Sequence, residues 1–342
     1  MLILGIETSC DDTSAAVVED GLYIRSNVIS SQIKEHAPFG GIVPEIAARK
    51  HVESISVIIE DALAEAGIGY EDLDAVGVTA RHGLLRSIVV GAAAAKSLAY
   101  SLDIPLIGVH HIEGHIYSNL IEHGDKLQFP HICLTISGGH TLLLLVHAIN
   151  RYELIGRTLD DAAGEVFDKI SKFLDLGFPG GPVIDKLAAE GNPKVFDFPR
   201  PMLNSDNSDF SFSGLKTAVI KEIEKLRRAG VDIPIADVAA SFQQAVIDVL
   251  VTKTCRAAKA HGLSTISVCG GVAANKGLRK AFEERATKEG LSVFYPHIAL
   301  CTDNGAMIAG LAYYKFQDGM QSDLRLDAQA NAPLGALKVQ YK

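Results

Sequence analysis

The chain has 342 residues, of which 48% are hydrophobic and 21% charged, a balance typical of a soluble globular protein large enough for two lobes. A formal net charge of −9 gives no general attraction to nucleic acid, and five scattered cysteines without a CxxC pair fit a reducing cytoplasm better than a disulfide framework. The apolar run at the amino terminus is too short for a signal peptide or a membrane span, so a cytoplasmic protein with no membrane partner is expected.

The first half of the chain opens with two apolar runs, residues 2–7 and 14–19, joined by the polar turn TSCDDT. This pattern is typical of a β-hairpin. The periodicity that follows predicts, in order, a helix over 40–67, a strand over 73–80, a helix over 84–102, a strand over 104–109 and a helix beginning at HHIEGH.

A related series of elements begins at residue 132, where ICLTISGGHTLLLLV again gives an apolar run, a small polar turn and an apolar run. The pattern then predicts a strand over 152–158, a helix over 162–177, an insertion near 175–235 rich in Pro, Gly, Asp and Ser, a helix over 235–262, a strand over 264–271, a helix from Asn275, a strand over 291–296 and a helix from about Asn304.

The order βββαβαβα is therefore used twice, which predicts an α/β protein with an N-terminal lobe over 1–127 and a C-terminal lobe over 128–342. Ligands of such sheets bind at the carboxyl ends of strands, so we expect the active site in the cleft between the lobes.

Two histidines in HHIEGH, His111 and His115, are four residues apart, so on a helix both imidazoles face one side and can bind one cation. Zinc proteases of the HExxH type have a glutamate directly after the first histidine as general base. Glu113 lies two residues after His111, on the far side of the helix. The spacing therefore favours a metal site and argues against that protease mechanism.

Asp303 follows the last strand of the second repeat, as the histidines follow the last strand of the first, so the duplication predicts that all three share one metal. An alternative is that Asp303 is only the N-cap of its helix. Three protein ligands leave positions open for substrate, as catalytic metal sites require. Two imidazoles and a carboxylate suit iron or zinc, and the residues leave that choice open.

Nine motifs follow one another along nearly the whole chain. They are GIETSCDDTS, GGIVPEIAARKH, HHIEGH, ISGGHT, DDAAGEVFDK, FPGGP, DFSFSGLKT, GGVAAN and CTDNGAM. Together they resemble the motifs of the TsaD/Gcp family, which is related to the Kae-type proteins. The resemblance implies the duplicated two-lobed fold of actin, sugar kinases and chaperone ATPases.

The same resemblance implies transfer of threonylcarbamoyl from threonylcarbamoyl-AMP to N6 of adenosine 37 in tRNAs that read ANN codons. It further implies one divalent metal ion per subunit, with Fe²⁺ preferred to zinc, and two partner proteins, a TsaB-like paralogue and a TsaE-like ATPase.

By resemblance, several residues contact the nucleotide part of the substrate. They are Thr135, Ile136, Ser137, Gly138, Gly139, Asp168, Gly181, Asp185 and Asn275. Related ATPases place an acidic residue in the first turn, and we favour Asp11 over Asp12 as the catalytic carboxylate, because family members often have Glu at the second position. Asp168 has an alternative role as the i+4 partner of Lys172, and turn formation alone also explains an Asp-Asp pair.

One motif departs from the family, which usually has GPGL where this chain has ARHGLLRS, residues 80–87. This is either a tolerated loop change or a source of phosphate contacts through Arg81 and Arg86. The segment from Lys216 to Gly290 has 13 Lys/Arg and 8 Asp/Glu. It offers either ordinary solvated helix faces or a tRNA surface, chiefly Lys221, Lys225, Arg227 and Arg228.

Three other functions remain open from the sequence. An ATP-dependent phosphotransferase or ATPase of the same fold is the main alternative, because fold alone does not give function. Such ATPases hold magnesium with carboxylates and water, whereas a histidine pair suits a transition metal. A metalloprotease is disfavoured by the position of Glu113, and a non-catalytic scaffold has no need of three metal ligands.

Overall fold

The structure, a computed structural model, describes residues 1–334. The chain divides into two compact units. Unit 1 contains Met1–Leu127, Ala148–Tyr152 and the chain from Pro296, and unit 2 contains Gln128–His147 and Glu153–Tyr295.

The strands in chain order are β1 Leu2–Glu7, β2 Asp12–Glu19, β3 Tyr23–Ser31, β4 Ala75–Arg81, β5 Leu106–His110, β6 His131–Ile136, β7 Thr141–Ala148, β8 Arg151–Arg157, β9 Thr265–Cys269 and β10 Ser292–Phe294. The helices are α1 Ile33–His36, α2 Pro44–Ala66, α3 Leu85–Leu102, α4 His111–His123, α5 Ala163–Phe173, α6 Gly180–Ala188, α7 Ser213–Arg228, α8 Ile235–Ala260, α9 Lys276–Glu289, α10 Ile298–Cys301 and α11 Gly305–Gln317.

The two sheets repeat one topology. In the first sheet the strand order is β3-β2-β1-β4-β5, with β1, β2 and β3 antiparallel and with β4 and β5 parallel to β1. The second sheet has the order β8-β7-β6-β9-β10, with β6 and β7 antiparallel and β9 and β10 parallel to β6. The predicted duplicated α/β fold is confirmed. The third strand of the first repeat, for which no residues were identified in the sequence pattern, is β3.

Helix α11 lies directly on β1 in unit 1. A Cβ atom built on Gly5 would lie 2.3 Å from the Gly305 carbonyl oxygen and 2.4 Å from the Ala309 nitrogen, so only glycine permits this approach. The other face of the sheet is covered by α2 and α3, with Ile55, Ile59 and Ala95 in the same buried cluster as the strand residues. The parallel strands β1, β4 and β5 are therefore buried on both faces, as parallel strands require.

Helix α8 is the main core helix of unit 2. Within residues 1–334 it alone is long and apolar enough to cross a membrane by length and composition, but 67% of its most apolar window is buried inside the protein. Such burial is typical of a core helix.

The structure adds detail in two places. The region 175–235, expected only as an insertion, contains α6 and α7. The chain from Pro296, which the sequence pattern placed in the C-terminal lobe, belongs to unit 1, because α11 packs on β1 and β2. The expected end of that lobe, residue 342, lies outside the described residues.

Candidate functional site

The histidine pair lies at the amino-terminal end of α4, directly after β5. Helix α4 begins at His111, and His110 is its N-cap, with Nδ1 accepting a hydrogen bond from the Ile112 amide at 3.2 Å. His111 and His115 are therefore one turn apart on a helix, as predicted, with ring centroids 4.6 Å apart. Both side chains are buried, His115 completely.

Asp303 lies in the loop before α11 and joins the histidine pair. Its Oδ1 is 3.1 Å from His115 Nε2 and 3.6 Å from His111 Nε2. The N-cap of α11 is Asn304, whose Oδ1 accepts from the Met307 amide at 3.0 Å, so Asp303 is not used as the cap.

The three side chains fit a metal ion. Their ligand atoms all lie within 4.8 Å of one another. Donors bound at about 2.0–2.1 Å to one ion lie about 3.0–3.4 Å apart, close to the two distances from Asp303. Two imidazole nitrogens and one carboxylate oxygen are a donor set suited to a transition metal.

Glu7, at the carboxyl end of β1, holds the outer nitrogen of His111. Its Oε2 is 3.0 Å from His111 Nδ1 and accepts a hydrogen bond from Thr79 Oγ1 at 2.7 Å. Burial lowers the pKa of His111, but the carboxylates of Asp303 and Glu7 outweigh it and raise the pKa to about 9. The two carboxylates therefore favour a positive charge at His111.

The turn after β1 carries the two predicted acidic residues, both partly buried. Burial, followed by the charge of Asp303, raises the pKa of Asp11. Burial, Asp303 and Asp11 together raise the pKa of Asp12 to about 7. The neighbouring thiol of Cys10 has a pKa raised well above its ordinary value, first by burial and then by Asp11, which makes it a poor nucleophile.

The ARHGLLRS loop binds its own chain. Arg81 Nη1 donates to the Asp327 carbonyl at 2.5 Å, and the amides of His82 and Gly83 donate to the carbonyls of Gln329 and Ala330. Arg81 therefore anchors a later segment, whereas Arg86 is exposed on α3.

The predicted nucleotide residues of unit 2 begin at the turn between β6 and β7. Thr135 and Ile136 are fully buried and pair with β7, so neither residue presents accessible surface to a ligand. The Ser137 amide donates to the His140 carbonyl at 2.9 Å. A Cβ atom on Gly138 or Gly139 would meet nothing within 4 Å, which leaves room for a phosphate to approach the backbone.

Asp168 and Gly181 lie around the start of α6. Asp168 Oδ1 accepts from the amide of Gly180, the first residue of α6, at 2.7 Å. A Cβ atom on Gly181 would also be in open space. Helix α5, which carries Asp168, touches the turn before β7, where a Cβ on Gly164 would lie 2.5 Å from the Ser137 carbonyl oxygen.

Asp185 and Asn275 meet through Gln243, a residue that the sequence pattern did not single out. Asp185 accepts from Gln243 Nε2 at 3.0 Å and from the Lys276 amide at 3.0 Å. Asn275 Nδ2 donates to Gln243 Oε1 at 2.7 Å, and Asn275 Oδ1 caps α9 at the Leu278 amide. The structure thus joins these predicted residues in one hydrogen-bonded group, which also stabilises the start of α9.

Glu113, the glutamate between the histidines, points away from the metal ligands. It is 1% exposed and forms an ion pair with Lys315 of α11 at 2.7 Å. The metal ligand group does not include it. A buried glutamate on the far side of α4 therefore has a partner on the neighbouring helix.

The predicted cationic residues of α7 are exposed, but three have partners. Lys225 pairs with Glu222 at 3.0 Å and Arg228 with Glu224 at 3.3 Å. The Arg227 guanidinium lies 4.9 Å above the ring of Phe173. Exposed ion pairs of this kind contribute about 0–1 kcal/mol to the stability of the fold. Lys225 and Arg228 can therefore leave their glutamate partners and bind phosphates at little cost.

Comparison with known proteins gives extensive matches. Residues 23–310 match the TsaD family, described as tRNA N6-adenosine threonylcarbamoyltransferase. The protein of that name from Syntrophotalea carbinolica is 55% identical over 98% of this chain and 97% of its own length. The one from Clostridioides difficile is 50% identical over 97% of this chain and 98% of its own length.

Solved structures share the fold at low identity. HypF from T. kodakarensis has a TM-score of 0.62 and 15% identity over 93% of this chain and 48% of its own. Component A of the (R)-2-hydroxyglutaryl-CoA dehydratase of Acidaminococcus fermentans has a TM-score of 0.54 and 17% identity over 93% of this chain and 98% of its own. These likenesses support the two-lobed fold alone.

Proposed function

Because the chain belongs to the TsaD family of tRNA N6-adenosine threonylcarbamoyltransferases, we propose that it carries out the family's reaction with one divalent metal held by His111, His115 and Asp303, with iron preferred to zinc. The transferase activity itself follows from family membership. Relatives at 50–55% identity share the name, which favours this activity over the phosphotransferase alternative.

The single observation that carries the metal assignment is the convergence of three ligand atoms within 4.8 Å, with His111 oriented by a buried carboxylate. Metal-bound histidines usually donate their other N–H to such a group. When bound, the metal supplies Lewis-acid polarisation of the acyl carbonyl.

The donor we propose is threonylcarbamoyl-AMP and the acceptor is adenosine 37 of tRNAs that read ANN codons. The backbone of the Ser137–Gly139 turn binds the phosphate, and Asp168, Asp185 and Asn275 bind the nucleoside, since carboxylates accept from ribose hydroxyls and an amide both donates and accepts. Asp11 accepts the proton of the attacking amine or places that amine.

A tRNA substrate and five cysteines without a disulfide support a cytoplasmic location. The acidic total charge supports partners that supply part of the tRNA contact, which we assign to a TsaB-like paralogue and a TsaE-like ATPase.

The proposal is tested by metal analysis and by a transfer assay with unmodified tRNA, threonylcarbamoyl-AMP and the partner proteins. We expect modified adenosine from the metal-loaded enzyme, loss of transfer after chelation and recovery on adding Fe²⁺. Transfer that survives complete metal removal contradicts the metal's role.

Asn275 gives a prediction for the nucleotide-binding residues. Replacing it with Ala should weaken adenine-nucleotide binding by about 1–3 kcal/mol, the usual effect of removing a buried polar partner. Because Asn275 also caps α9, Asn275→Ser is the matched variant, since serine keeps a capping oxygen but lacks the amide. Calorimetry should show weaker binding for both, and wild-type affinity for Asn275→Ser would assign Asn275 to the cap alone.

The α7 face gives a prediction for tRNA binding. Lys221 and Lys225 are one turn apart and exposed. Reversing both charges with Lys221→Glu and Lys225→Glu should weaken tRNA binding and flatten the slope of log affinity against log salt by about 0.7–0.9 for each phosphate that the protein no longer neutralises.

The matched control reverses two cations of α2, the exposed Arg49 and its partly buried neighbour Lys50. The Arg49→Glu, Lys50→Glu variant should leave the slope for the isolated chain unchanged. Salt titrations with and without the partners measure both. Tight binding by the isolated chain, with equal slopes for the α7 variant and wild type, would show that the tRNA-binding surface lies elsewhere.

A further inference from the structure

The segment from Gln32 to His51, which includes the GGIVPEIAARKH motif, contains three buried polar side chains that the proposed reaction does not use. Gln32, His36 and His51 are 4%, 0% and 0% exposed. Burial of polar groups is costly unless each finds hydrogen-bond partners. Their partners lead to the turn that carries Asp11.

His51 contacts this turn through both ring nitrogens. Its Nε2 is 3.0 Å from the Cys10 carbonyl oxygen, and its Nδ1 is 2.8 Å from Thr13 Oγ1. Because a carbonyl oxygen only accepts, Nε2 carries the hydrogen and Nδ1 is the acceptor. The ring therefore binds the chain on both sides of Asp11.

Gln32 holds the backbone carbonyl of Asp11. Its backbone amide donates to the Asp11 carbonyl oxygen at 3.1 Å. Its side-chain oxygen is 3.3 Å from His36 Nε2, and His36 Nδ1 accepts from the Val43 amide at 3.3 Å. The carbonyl groups of Cys10 and Asp11 are thus both fixed by this buried segment, and the segment is itself tied to the start of the motif.

We propose that His51 is a positioning residue for Asp11: its Nε2–H holds the Cys10 carbonyl and so fixes the backbone from which the Asp11 carboxylate projects. This inference rests on the proposed role of Asp11. The carbonyl that His51 holds belongs to the residue directly before Asp11, so we expect the ring to act on the placement of the Asp11 carboxylate.

The test uses two conservative variants, each of which can keep only one of the two hydrogen bonds of the ring. A glutamine amide reaches the position of Nε2 and can still donate to Cys10, whereas an asparagine amide reaches only the position of Nδ1. Misplacement of a reacting group by about 1 Å costs up to about 100-fold. We therefore expect His51→Asn to lower kcat by about 10- to 100-fold with KM for tRNA and bound metal unchanged, and His51→Gln to stay close to wild type.

His131 supplies the control, because it is also a buried histidine whose ring contacts a carbonyl, that of Gln128. His131→Gln should leave kcat unchanged. Equal activity of the two His51 variants overturns the proposal. If His51→Asn does not fold, His51→Gln decides alone, since a folded, metal-loaded His51→Gln with kcat lowered about tenfold contradicts it.

An Asp11→Asn variant separates this inference from the proposed function. Loss of transfer in Asp11→Asn together with full activity in His51→Asn removes only the positioning role. Full transfer in Asp11→Asn removes the role of Asp11 itself, and with it the reason for the inference, while leaving the metal assignment intact.

Discussion

Replacing His115 with Ala is expected to lower metal affinity by more than about 100-fold and to abolish transfer, while the fold remains intact. His115 is fully buried, and its Nε2 faces Asp303 Oδ1 at 3.1 Å, so the substitution removes one of the three proposed ligands. Loss of a hydrogen-bond partner of a ligand already costs about 10–100-fold in metal affinity. Losing the ligand itself should cost more.

Glu7→Gln extends the test to the residue that orients His111. It should weaken metal binding by about 10–100-fold, less than the loss of a ligand. His123→Ala, in the last turn of α4, is the control and should keep full metal content. The metal content after dialysis and the metal affinity in competition with a chelator are measured for all three variants. Full metal occupancy in His115→Ala would show that His115 is not a metal ligand.

Much of the fold was predictable from the sequence because periodicity and turn composition report local structure. The repeated βββαβαβα order and the helix beginning at HHIEGH follow from such patterns. The sequence pattern did not predict that the chain from Pro296 belongs to unit 1. This grouping depends on the close contact of Gly5 with Gly305 and Ala309 of α11, which lie about 300 positions later in the chain. No local pattern encodes such a contact.

The residues of the candidate site were likewise predictable only in part. The histidine spacing and the repeat predicted that His111, His115 and Asp303 form one group, and the structure brings these three side chains together. Glu7 was missed, although a glutamate ending an otherwise apolar strand, LILGIE, is a signal of function at a strand's carboxyl end. Gln243 carried no signal, because a polar residue within the long helix α8 is read as a solvated face until its partners are known.

The ion pair between Glu113 and Lys315 gives the second large effect. The two side chains are 1% and 4% exposed and 2.7 Å apart. They join α4, which carries both histidines, to α11, which follows Asp303. Removing one partner of a buried pair leaves an uncompensated charge and typically costs about 3–5 kcal/mol, whereas removing both charges is often neutral. We expect Lys315→Met to destabilise unit 1 by about this amount.

The double variant Glu113→Gln, Lys315→Met should recover most of the stability in urea unfolding, because neither side chain then carries a buried charge. It also separates the transferase from a metalloprotease-like reaction. A carboxylate that acts as general base cannot be replaced by an amide, whereas a carboxylate that only joins two helices can be when its partner is also neutral. We therefore expect the double variant to bind metal and transfer threonylcarbamoyl. A stable, metal-loaded double variant without transfer would show that the Glu113 carboxylate takes part in the reaction.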